Sequence, residues 1–414
     1  MRSPDLDPHP LAAEIRDLVQ RELPSLVAMR RDLHMHPEIG YEEVRTSGVV
    51  RDALRAAGIR HEGGLAGGTG VLAHIPGSGP RAVALCADMD ALPIVERGNR
   101  AWKSRTEGRM HACGHDGHTT ILVGAARVLS ALAARHALPR PVTLVFQPAE
   151  EGGGGGQRMV DEGALDGSRL GPPVDEAYAL HGWPELPLGT VATRNGAIMA
   201  ASDRFELLVE GRGSHAAWPH RSADPVVCAA AIVTALQSIV ARNIDPLDAA
   251  VVSVTAIEGG AAFNVIPDRV TLRGTYRSLS EATRSHLERR IAEVAAGVAA
   301  AHGCSARAEL QRNYPVTVND ASAVRRFESV ARSMLGDARV GHLDAPVMGG
   351  EDFAFYGPHA RCCYWALGLA APGTTCPPLH APDFDFNDDA LATGVELMCA
   401  LAVRERDPAP AQPA

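Results

Sequence analysis

The sequence predicts a mixed α/β fold, in which a mostly parallel sheet carries helices on both faces and a ferredoxin-like β-α-β-β-α-β domain is inserted. Three observations support this prediction. Short apolar runs alternate with segments of helical periodicity, polar side chains follow several of the runs directly, and the pattern changes after about residue 199. Strands that alternate with helices indicate a parallel sheet, whose functional groups gather at the carboxyl ends of the strands.

Three apolar runs in the first half are predicted to be buried strands. They are residues 81–87, 142–146 and 176–180, with helical patterns over 10–58 and 118–134. Because the carboxyl ends of parallel strands meet at one edge of a sheet, we expect the polar residues that follow these runs to form one site. Those residues are Asp88, Asp90, Glu150, Glu151 and His181.

The inserted domain is predicted from a separate pattern of strands and helices. Strands at 205–209, 250–257, 269–276 and 306–311 and helices at 224–242 and 281–301 give the order β-α-β-β-α-β. A self-contained unit of this kind fits an insertion into a larger domain. The predicted division is residues 1–198 for the first part of the larger domain, 199–313 for the insertion and 314–414 for the second part.

The composition is that of a globular protein. Its 414 residues, 46% hydrophobic and 21% charged, carry a formal net charge of −9 without a basic stripe, which argues against a nucleic-acid partner. Residues 1–10 begin no signal peptide, and no run approaches the roughly 20 apolar residues of a membrane span, so we expect a cytoplasmic protein without a membrane partner. The eight cysteines are scattered and predict no disulfide framework, and the Pro/Ala-rich residues 404–414 are expected to be a frayed tail.

Residues 110–118, MHACGHDGH, carry the densest chemical signal. Cys113 and His115 lie just before the predicted helix and can both face one metal ion, and the helix N-terminus is expected to lower the pKa of the thiol. Sulfur together with imidazole suits zinc-like transition metals better than magnesium or calcium. The alternative is a His-rich helix cap with a buried thiol, and His111 and His118 stay unassigned.

Residues 147–156, QPAEEGGGGG, supply two adjacent carboxylates, Glu150 and Glu151. One can bind a metal ion while the other faces the water and takes its proton. The run of glycines lets the backbone pass close to such a site without a side-chain clash. A flexible acidic loop is the alternative.

Two further histidines extend the set of candidate ligands. His181 follows the third apolar run, and His380 lies in the C-terminal loop PPLHAPDFDFNDDAL. Either histidine alone is more often a structural hydrogen-bonding residue, but together with the earlier candidates they give a ligand count suitable for two metal ions. Asp88 and Asp90 either cap the turn before Pro93 or orient a ligand histidine.

With these residues identified, the sequence resembles a known family. It is similar to the aminoacylase/carboxypeptidase family of dinuclear metallopeptidases, and within it to hippurate hydrolases, N-acyl-amino acid amidohydrolases and plant auxin-conjugate hydrolases. The similarity runs from about residue 26 to about 392 and rests on the motifs HACGHDGH, FQPAEEG, GRGSHAAWPH, GGAAFNVIPD, GTYRS, MGGEDFAFY and LHAPDFDFNDDAL. Cys86, Gly182 and residues 96–109 depart from the subfamily pattern, which affects the expected acyl pocket and removes no ligand.

The resemblance implies a role for each matching residue. Glu150 matches the general base, and Asp90 matches the aspartate of the family's HxDxxP-like segment. Asp88 takes the place of that segment's ligand histidine and is not counted as a ligand. The implied ligands of two divalent metal ions are Cys113, His115, Glu151, His181 and His380. Zinc, manganese, cobalt and nickel all suit this set of ligands.

The inserted domain matches the family's lid or dimerisation domain. His215 matches a histidine that reaches into the partner subunit's site and polarises the scissile carbonyl, while Asn264 and Arg277 match residues that hold the substrate carboxylate. The alternatives are that Asn264 stabilises the turn before Pro267 and that Arg277 is a surface strand residue. A homodimer or homotetramer is implied.

The function implied by the resemblance is a metal-dependent amidohydrolase that cleaves N-acyl-L-amino acids, hippurate-like or N-acetylated, with metal-bound water. The products are a carboxylic acid and a free amino acid. A dipeptidase or aminopeptidase-like activity on the same scaffold is the nearest alternative. A catalytically silent metal-binding homologue is a further one, which an altered Glu150 or a missing ligand would have indicated.

Overall fold

The computed structural model describes residues 11–404 and divides into two compact units. The larger unit comprises the chain up to residue 196 together with 318–345 and the chain from 355 onward. The smaller unit comprises residues 197–317 and 346–354. The expected frayed tail lies outside the described residues, apart from residue 404.

Within the described residues the α-helices are α1 Ala12–Met35, α2 Val44–Ala56, α3 His115–Ala133, α4 Gly155–Asp161, α5 Pro225–Asn243, α6 Glu281–Ala301, α7 Ala321–Leu335 and α8 Leu391–Val403. The strands are β1 Arg60–Leu65, β2 Gly70–Ile75, β3 Ala82–Asp88, β4 Val142–Gln147, β5 Val174–Pro187, β6 Val191–Thr193, β7 Gly196–Met199, β8 Ala201–Glu210, β9 Ser214–His215, β10 Ala250–Gly259, β11 Val265–Ile266, β12 Arg269–Ser278, β13 Ser305–Tyr314, β14 Thr317–Asn319, β15 Val340–His342 and β16 Arg361–Ala370.

An eight-stranded sheet forms the centre of the larger unit, in the order β1-β2-β4-β3-β5-β16-β6-β15. The central strands β4, β3, β5 and β16 are parallel to one another, whereas β1 and β2 form an antiparallel edge and β6 runs antiparallel to β16. β3 and β4 are buried along their whole length, which explains their continuous apolar sequences. The prediction of a mixed, mostly parallel α/β fold is confirmed.

The register of the parallel strands brings the predicted polar residues to one level. Asp88, the last residue of β3, pairs with Gln147, the last residue of β4. Cys86, two residues before Asp88, pairs with Ala179 on β5. His181 therefore lies level with Asp88, at the edge where a parallel sheet collects its functional groups.

The packing of three helices places the N-terminus of α3 at this edge. α1, α3 and α8 pack on one another, and α3 also packs on the sheet. Gly124 permits the close approach, because a Cβ there would lie 2.8 Å from side-chain atoms of Leu26 on α1 and Val395 on α8. Nearly every residue of α3 is buried, so the position of its first residue, His115, is fixed by the core.

Two expectations about local structure need correction. The helical pattern over 10–58 corresponds to two helices, α1 and α2, but α3 begins at His115 and not at residue 118. β5 continues to Pro187, so His181 lies inside a strand and not after one. β1 and β2 were not predicted: β1, RHEGGL, is polar and rich in glycine, whereas β2, GVLAHI, is an apolar run that the sequence analysis overlooked.

The smaller unit has a four-stranded antiparallel sheet in the order β10-β12-β8-β13, with α5 and α6 packed on each other and on the sheet. Its main elements follow the predicted order β-α-β-β-α-β, and β9 and β11 form a separate short pair. The core consists of alternate residues of the strands, such as Phe205, Leu207 and Val209, packed on the apolar faces of the two helices.

Helix α5 needs a further correction. By length and composition alone it could cross a membrane, contrary to the expectation that no segment could. One face, with Cys228, Ile232, Leu236 and Ile239, is buried in the core of the smaller unit. Core helices pass the same test, so the finding is weak evidence for a membrane span.

Candidate metal centre

Five side chains distant in sequence converge in the larger unit. Their donor atoms form two groups that share Cys113, and within each group these atoms lie within 4.8 Å of one another. The first group is Cys113, His115 and His181, and the second is Cys113, Glu151 and His380. Every residue that the sequence analysis proposed as a ligand is therefore in one of the two groups.

In the first group, hydrogen bonds fix which ring nitrogen of each histidine faces the site. His181 Nδ1 lies 2.8 Å from the carbonyl oxygen of Gly182, and His115 Nδ1 lies 2.9 Å from that of Asp90. A carbonyl oxygen only accepts, so each ring carries a proton on Nδ1. His181 Nε2 then faces Cys113 Sγ at 3.4 Å.

The second group is tied to the first through the backbone. His380 Nε2 lies 3.3 Å from Glu151 Oε1. The backbone N–H of His380 donates to the carbonyl oxygen of Ala112 at 2.8 Å, which fixes His380 beside the residue that precedes Cys113. The φ of His380 is 64°, in the left-handed region that non-glycine residues rarely adopt.

Two unsatisfied atoms indicate that the residues fit a pair of divalent cations. His115 Nε2 and Glu151 Oε1 are buried and make no hydrogen bond among residues 11–404, although Asp88 Oδ2 and His380 Nε2 respectively lie 3.3 Å from them. Buried polar atoms are normally bonded, and these two belong to the two donor groups. One sulfur, three imidazoles and a carboxylate are ligands that suit zinc-like transition metals.

The protonation of these ligands depends on burial. Burial raises the pKa of the Cys113 thiol well above its ordinary value, and the charge of Glu151 raises it further. The expectation of a lowered pKa is therefore wrong for the chain by itself, because desolvation and the charge of Glu151 outweigh the lowering by His115. Burial and the neighbouring His118 lower the pKa of His181 to about 3, so its ring is neutral at pH 7.

His115 differs from His181 in its protonation. Burial by itself lowers its pKa, but the negative charge of Asp88 and the hydrogen bond with Asp90 help to raise the pKa above its ordinary value. A cation at this site would therefore have to displace protons from both Cys113 and His115, which makes binding depend on pH.

Asp90 holds the turn that carries the two adjacent glutamates. Its Oδ1 accepts the backbone N–H of Glu150 and its Oδ2 that of Glu151, both at 3.0 Å. The same Oδ1 lies 3.3 Å from His115 Nδ1. Glu150 is buried, and its carboxylate lies within 4.8 Å of the donor atoms of His115 and Glu151. Asp90 therefore orients both glutamates relative to a candidate ligand.

A second residue that holds this turn, Glu43, was missed by the sequence analysis. Glu43 Oε1 accepts the N–H of Ala149 at 2.8 Å, and its Oε2 accepts the hydroxyl of Thr69 at 2.8 Å. Ala149 has a φ of 54°, so the turn before Glu150 needs this support. Burial raises the pKa of Glu43. Nothing in the sequence distinguishes Glu43 from its neighbour Glu42.

His118, left unassigned from sequence, supports the first group from behind. Gly182 N–H donates to His118 Nε2 at 2.9 Å, so Nδ1 carries the proton and donates to Asp88 Oδ1 at 2.7 Å. Burial by itself raises the pKa of Asp88, but the charge of His115 and the hydrogen bond from His118 lower it overall. Neither nitrogen of His118 is left for a cation, although Asp88, His115 and His118 form a third compact group.

Two of the three residues proposed in the smaller unit are neighbours. β9 pairs with β11, and the N–H of Ala216 donates to the carbonyl oxygen of Asn264 at 2.9 Å, beside His215. The N–H of Ala217 donates to His215 Nδ1 at 3.1 Å, which leaves the proton of the neutral ring on the exposed Nε2.

Arg277, the third residue, lies on β12 at a cavity of about 610 Å³ within the smaller unit. Burial lowers its pKa, and the positive charge of Arg204, which lines the same cavity, also lowers it. Arg277 forms no ion pair among the described residues. A half-buried guanidinium in this state is available to an anion.

Residues 84–404 match the family described as peptidase family M20/M25/M40. IAA-amino acid hydrolase ILR1-like 2 of Arabidopsis thaliana is 41% identical over 383 residues, which cover 92% of this chain and 84% of the relative. Hippurate hydrolase of Campylobacter jejuni is 37% identical over 399 residues, 95% of this chain and 99% of the relative. The crystal structure of the Bacillus subtilis YXEP protein, a dinuclear metal binding peptidase from the M20 family, has a TM-score of 0.79 and 32% identity over 93% of this chain and 98% of that chain.

Proposed function

This chain belongs to peptidase family M20/M25/M40, and on that premise we propose that it hydrolyses N-acyl-L-amino acids to a carboxylic acid and a free amino acid. The observation that carries the proposal is the position of Glu150, which lies beside the two donor groups with its backbone held by Asp90. Two relatives are named as hydrolases of IAA-amino acids and of hippurate, which are N-acylated amino acids.

Glu150 would act as the base in this reaction. Its carboxylate would accept a proton from the attacking water and deliver it to the leaving nitrogen. Asp90, which accepts the N–H groups of Glu150 and Glu151, would keep the base in place during both transfers. Two divalent cations would supply Lewis acidity and lower the pKa of water. Their proposed ligands are Cys113, His115, Glu151, His181 and His380.

The smaller unit would bind the substrate. The Nε2–H of His215 would donate to the carbonyl oxygen as negative charge develops there, a role supported by the hydrogen bond that fixes its tautomer. Arg277 and Asn264 would hold the carboxylate of the amino acid. The availability of Arg277, which forms no ion pair among the described residues, supports its assignment.

We also propose a homodimer in which His215 acts in the partner subunit's site. Phe263 is fully exposed, and Val265 and Trp218 are about half exposed. Val265, on β11, pairs with His215, and Trp218 follows His215 by three residues. Apolar side chains clustered around a functional residue are typical of a surface that a second subunit covers. A homotetramer stays an alternative, and a cytoplasmic location stays a prediction from the sequence.

Two glutamate variants test the mechanism. We expect Glu150→Gln to retain both metal ions and to lose turnover by about three orders of magnitude or more. Glu151→Gln, its matched control, should lose metal, because it replaces a proposed ligand. The measurements are elemental analysis and turnover on N-acetyl amino acids, N-benzoyl amino acids and dipeptides. Near-normal turnover in Glu150→Gln would exclude Glu150 as the base, and faster cleavage of dipeptides would favour the peptidase alternative.

A further inference from the structure

A buried guanidinium joins two segments that carry proposed metal ligands. Arg30, on α1, has a fully buried side chain. Its Nη1 lies 2.7 Å from Asp385 Oδ1 and 3.5 Å from Asp116 Oδ2, and its Nε lies 2.6 Å from Asp388 Oδ1. Arg30 and these three carboxylates are called the Arg30 cluster.

The carboxylates of the Arg30 cluster come from two chain segments, one with His115 and the other with His380. Asp116 directly follows His115 in the first turn of α3. Asp385 and Asp388 follow His380 in the same loop. A single side chain on α1 therefore links the segment of His115 to the segment of His380. Each carboxylate has a further cationic neighbour, but among the described residues Arg30 alone contacts all three, so its replacement would break the link between the two segments.

The loop after His380 is also held from its other side. The indole Nε1 of Trp102 donates to Asp385 Oδ2 at 3.2 Å, and Arg100 Nε lies 3.0 Å from the same oxygen. Trp102 and Arg100 belong to residues 96–109, the stretch that directly precedes the motif MHACGHDGH. These two contacts therefore help to fix the loop that carries His380.

His380 needs this support more than the other candidate ligands do. Its side chain is 52% exposed, whereas those of His115 and His181 are buried. Its φ of 64° is costly for a residue with a side chain. An exposed side chain on a strained backbone keeps a ligand position only if the neighbouring segment is rigid.

We propose that Arg30 is a positioning residue of the metal centre, which fixes the segment of His380 relative to that of His115 and thereby sets the affinity for the cation bound through His380. The proposal rests on the proposed function, because it supposes that these histidines bind cations. Mutation of groups that orient metal ligands typically lowers metal affinity 10–100-fold. We expect a loss of about this size when Arg30 is replaced.

The test compares Arg30→Gln with Arg31→Gln. Arg31 lies 2.8 Å from Asp388 and stacks on Trp102 at 3.8 Å, but its side chain is 39% exposed and contacts only one carboxylate of the Arg30 cluster. Metal-free proteins are titrated with Co²⁺ in competition with a chelator. Arg30→Gln should bind one of two Co²⁺ ions about 10–100-fold more weakly, and Arg31→Gln should bind both like the wild type. Saturating Co²⁺ should restore most of the turnover of Arg30→Gln.

Unchanged Co²⁺ affinities in Arg30→Gln, with only a lower melting temperature, would overturn the proposal, because an ordinary structural ion pair gives that result. If Arg30→Gln does not fold, Asp385→Asn is titrated in the same way, and wild-type affinities in that variant would also overturn it. A wild-type protein that binds no Co²⁺ would instead contradict the proposed metal centre, so the two failures are distinguishable.

Discussion

Cys113 Sγ lies 3.4 Å from His181 Nε2, although the two residues are 68 positions apart in the chain. Metal–sulfur and metal–nitrogen bonds of about 2.3 and 2.0 Å at a tetrahedral angle place two donors about 3.5 Å apart. The thiol and the imidazole therefore already have the separation that a shared cation requires.

Replacing Cys113 by Ser should weaken the binding of both cations. Cys113 belongs to both donor groups, so we expect Cys113→Ser to bind less than one Co²⁺ ion per chain tightly and to lack thiolate-to-cobalt absorption. Cys304→Ser, in the smaller unit, is the control and should bind like the wild type. Two tightly bound ions in Cys113→Ser would show that this residue is not the shared ligand.

Asp90→Asn should impair turnover more than stability. An amide can accept only one of the two N–H groups of Glu150 and Glu151, and its NH₂ group faces the other. We expect kcat to fall by about 10–100-fold, because the base loses its orientation. Asp161→Asn, at the exposed end of α4, is the control. A wild-type kcat in Asp90→Asn would contradict the orienting role.

Mixing two inactive variants tests whether His215 acts in the partner subunit. Glu150→Gln and His215→Ala should each be inactive alone. If His215 acts across a dimer, random mixed dimers contain one complete site, and an equal mixture should regain about a quarter of wild-type activity. No recovery after verified subunit exchange would show that His215 serves its own chain.

The stability of the protein should depend on His34 in weakly alkaline solution. Burial by itself lowers the pKa of His34, but the hydrogen bond and charge of Asp116 and the contact with Glu96 raise it to about 9. A group whose pKa is raised by folding stabilises the folded protein fully below its unfolded pKa, which is about 6.5 for histidine. This stabilisation is lost as the pH rises through the pKa of the folded state. The difference in the free energy of unfolding between wild type and His34→Gln should therefore fall by on the order of 3 kcal/mol between pH 6 and pH 10. A pH-independent difference would contradict the charged state of His34.

Two glycine substitutions should have opposite effects on stability. A Cβ on Gly155 would lie 1.7 Å from the carbonyl oxygen of Pro148, so Gly155→Ala must shift the turn of Glu150 and Glu151 and should cost about 1–3 kcal/mol. Gly297, near the C-terminal end of α6, has nothing within 4 Å of such a Cβ, and Gly297→Ala should stabilise by roughly 1 kcal/mol. Thermal or urea unfolding measures both. A neutral Gly155→Ala would show that this turn can relax.

Much of the fold was predictable, because burial on both faces of a parallel strand requires a continuous apolar run. β3 and β4 were identified in this way, as was the β-α-β-β-α-β order of the smaller unit. β1 was missed, since an edge strand that is polar and rich in glycine carries no comparable pattern, and β2 was overlooked although it is an apolar run. The candidate ligands were recognisable from sequence because sulfur, imidazole and carboxylate groups in short motifs after such runs have few structural uses.

The sequence by itself determined which residue types could bind cations and which strands carry them to one edge. Only the tertiary structure decided how these residues are oriented. The bond that fixes the tautomer of His115, the bonds of Asp90 to the glutamate turn and the contact of Arg30 with Asp385 all join residues distant in the chain. Such contacts depend on side-chain packing between elements, and local sequence patterns encode only the periodicity and burial of each element.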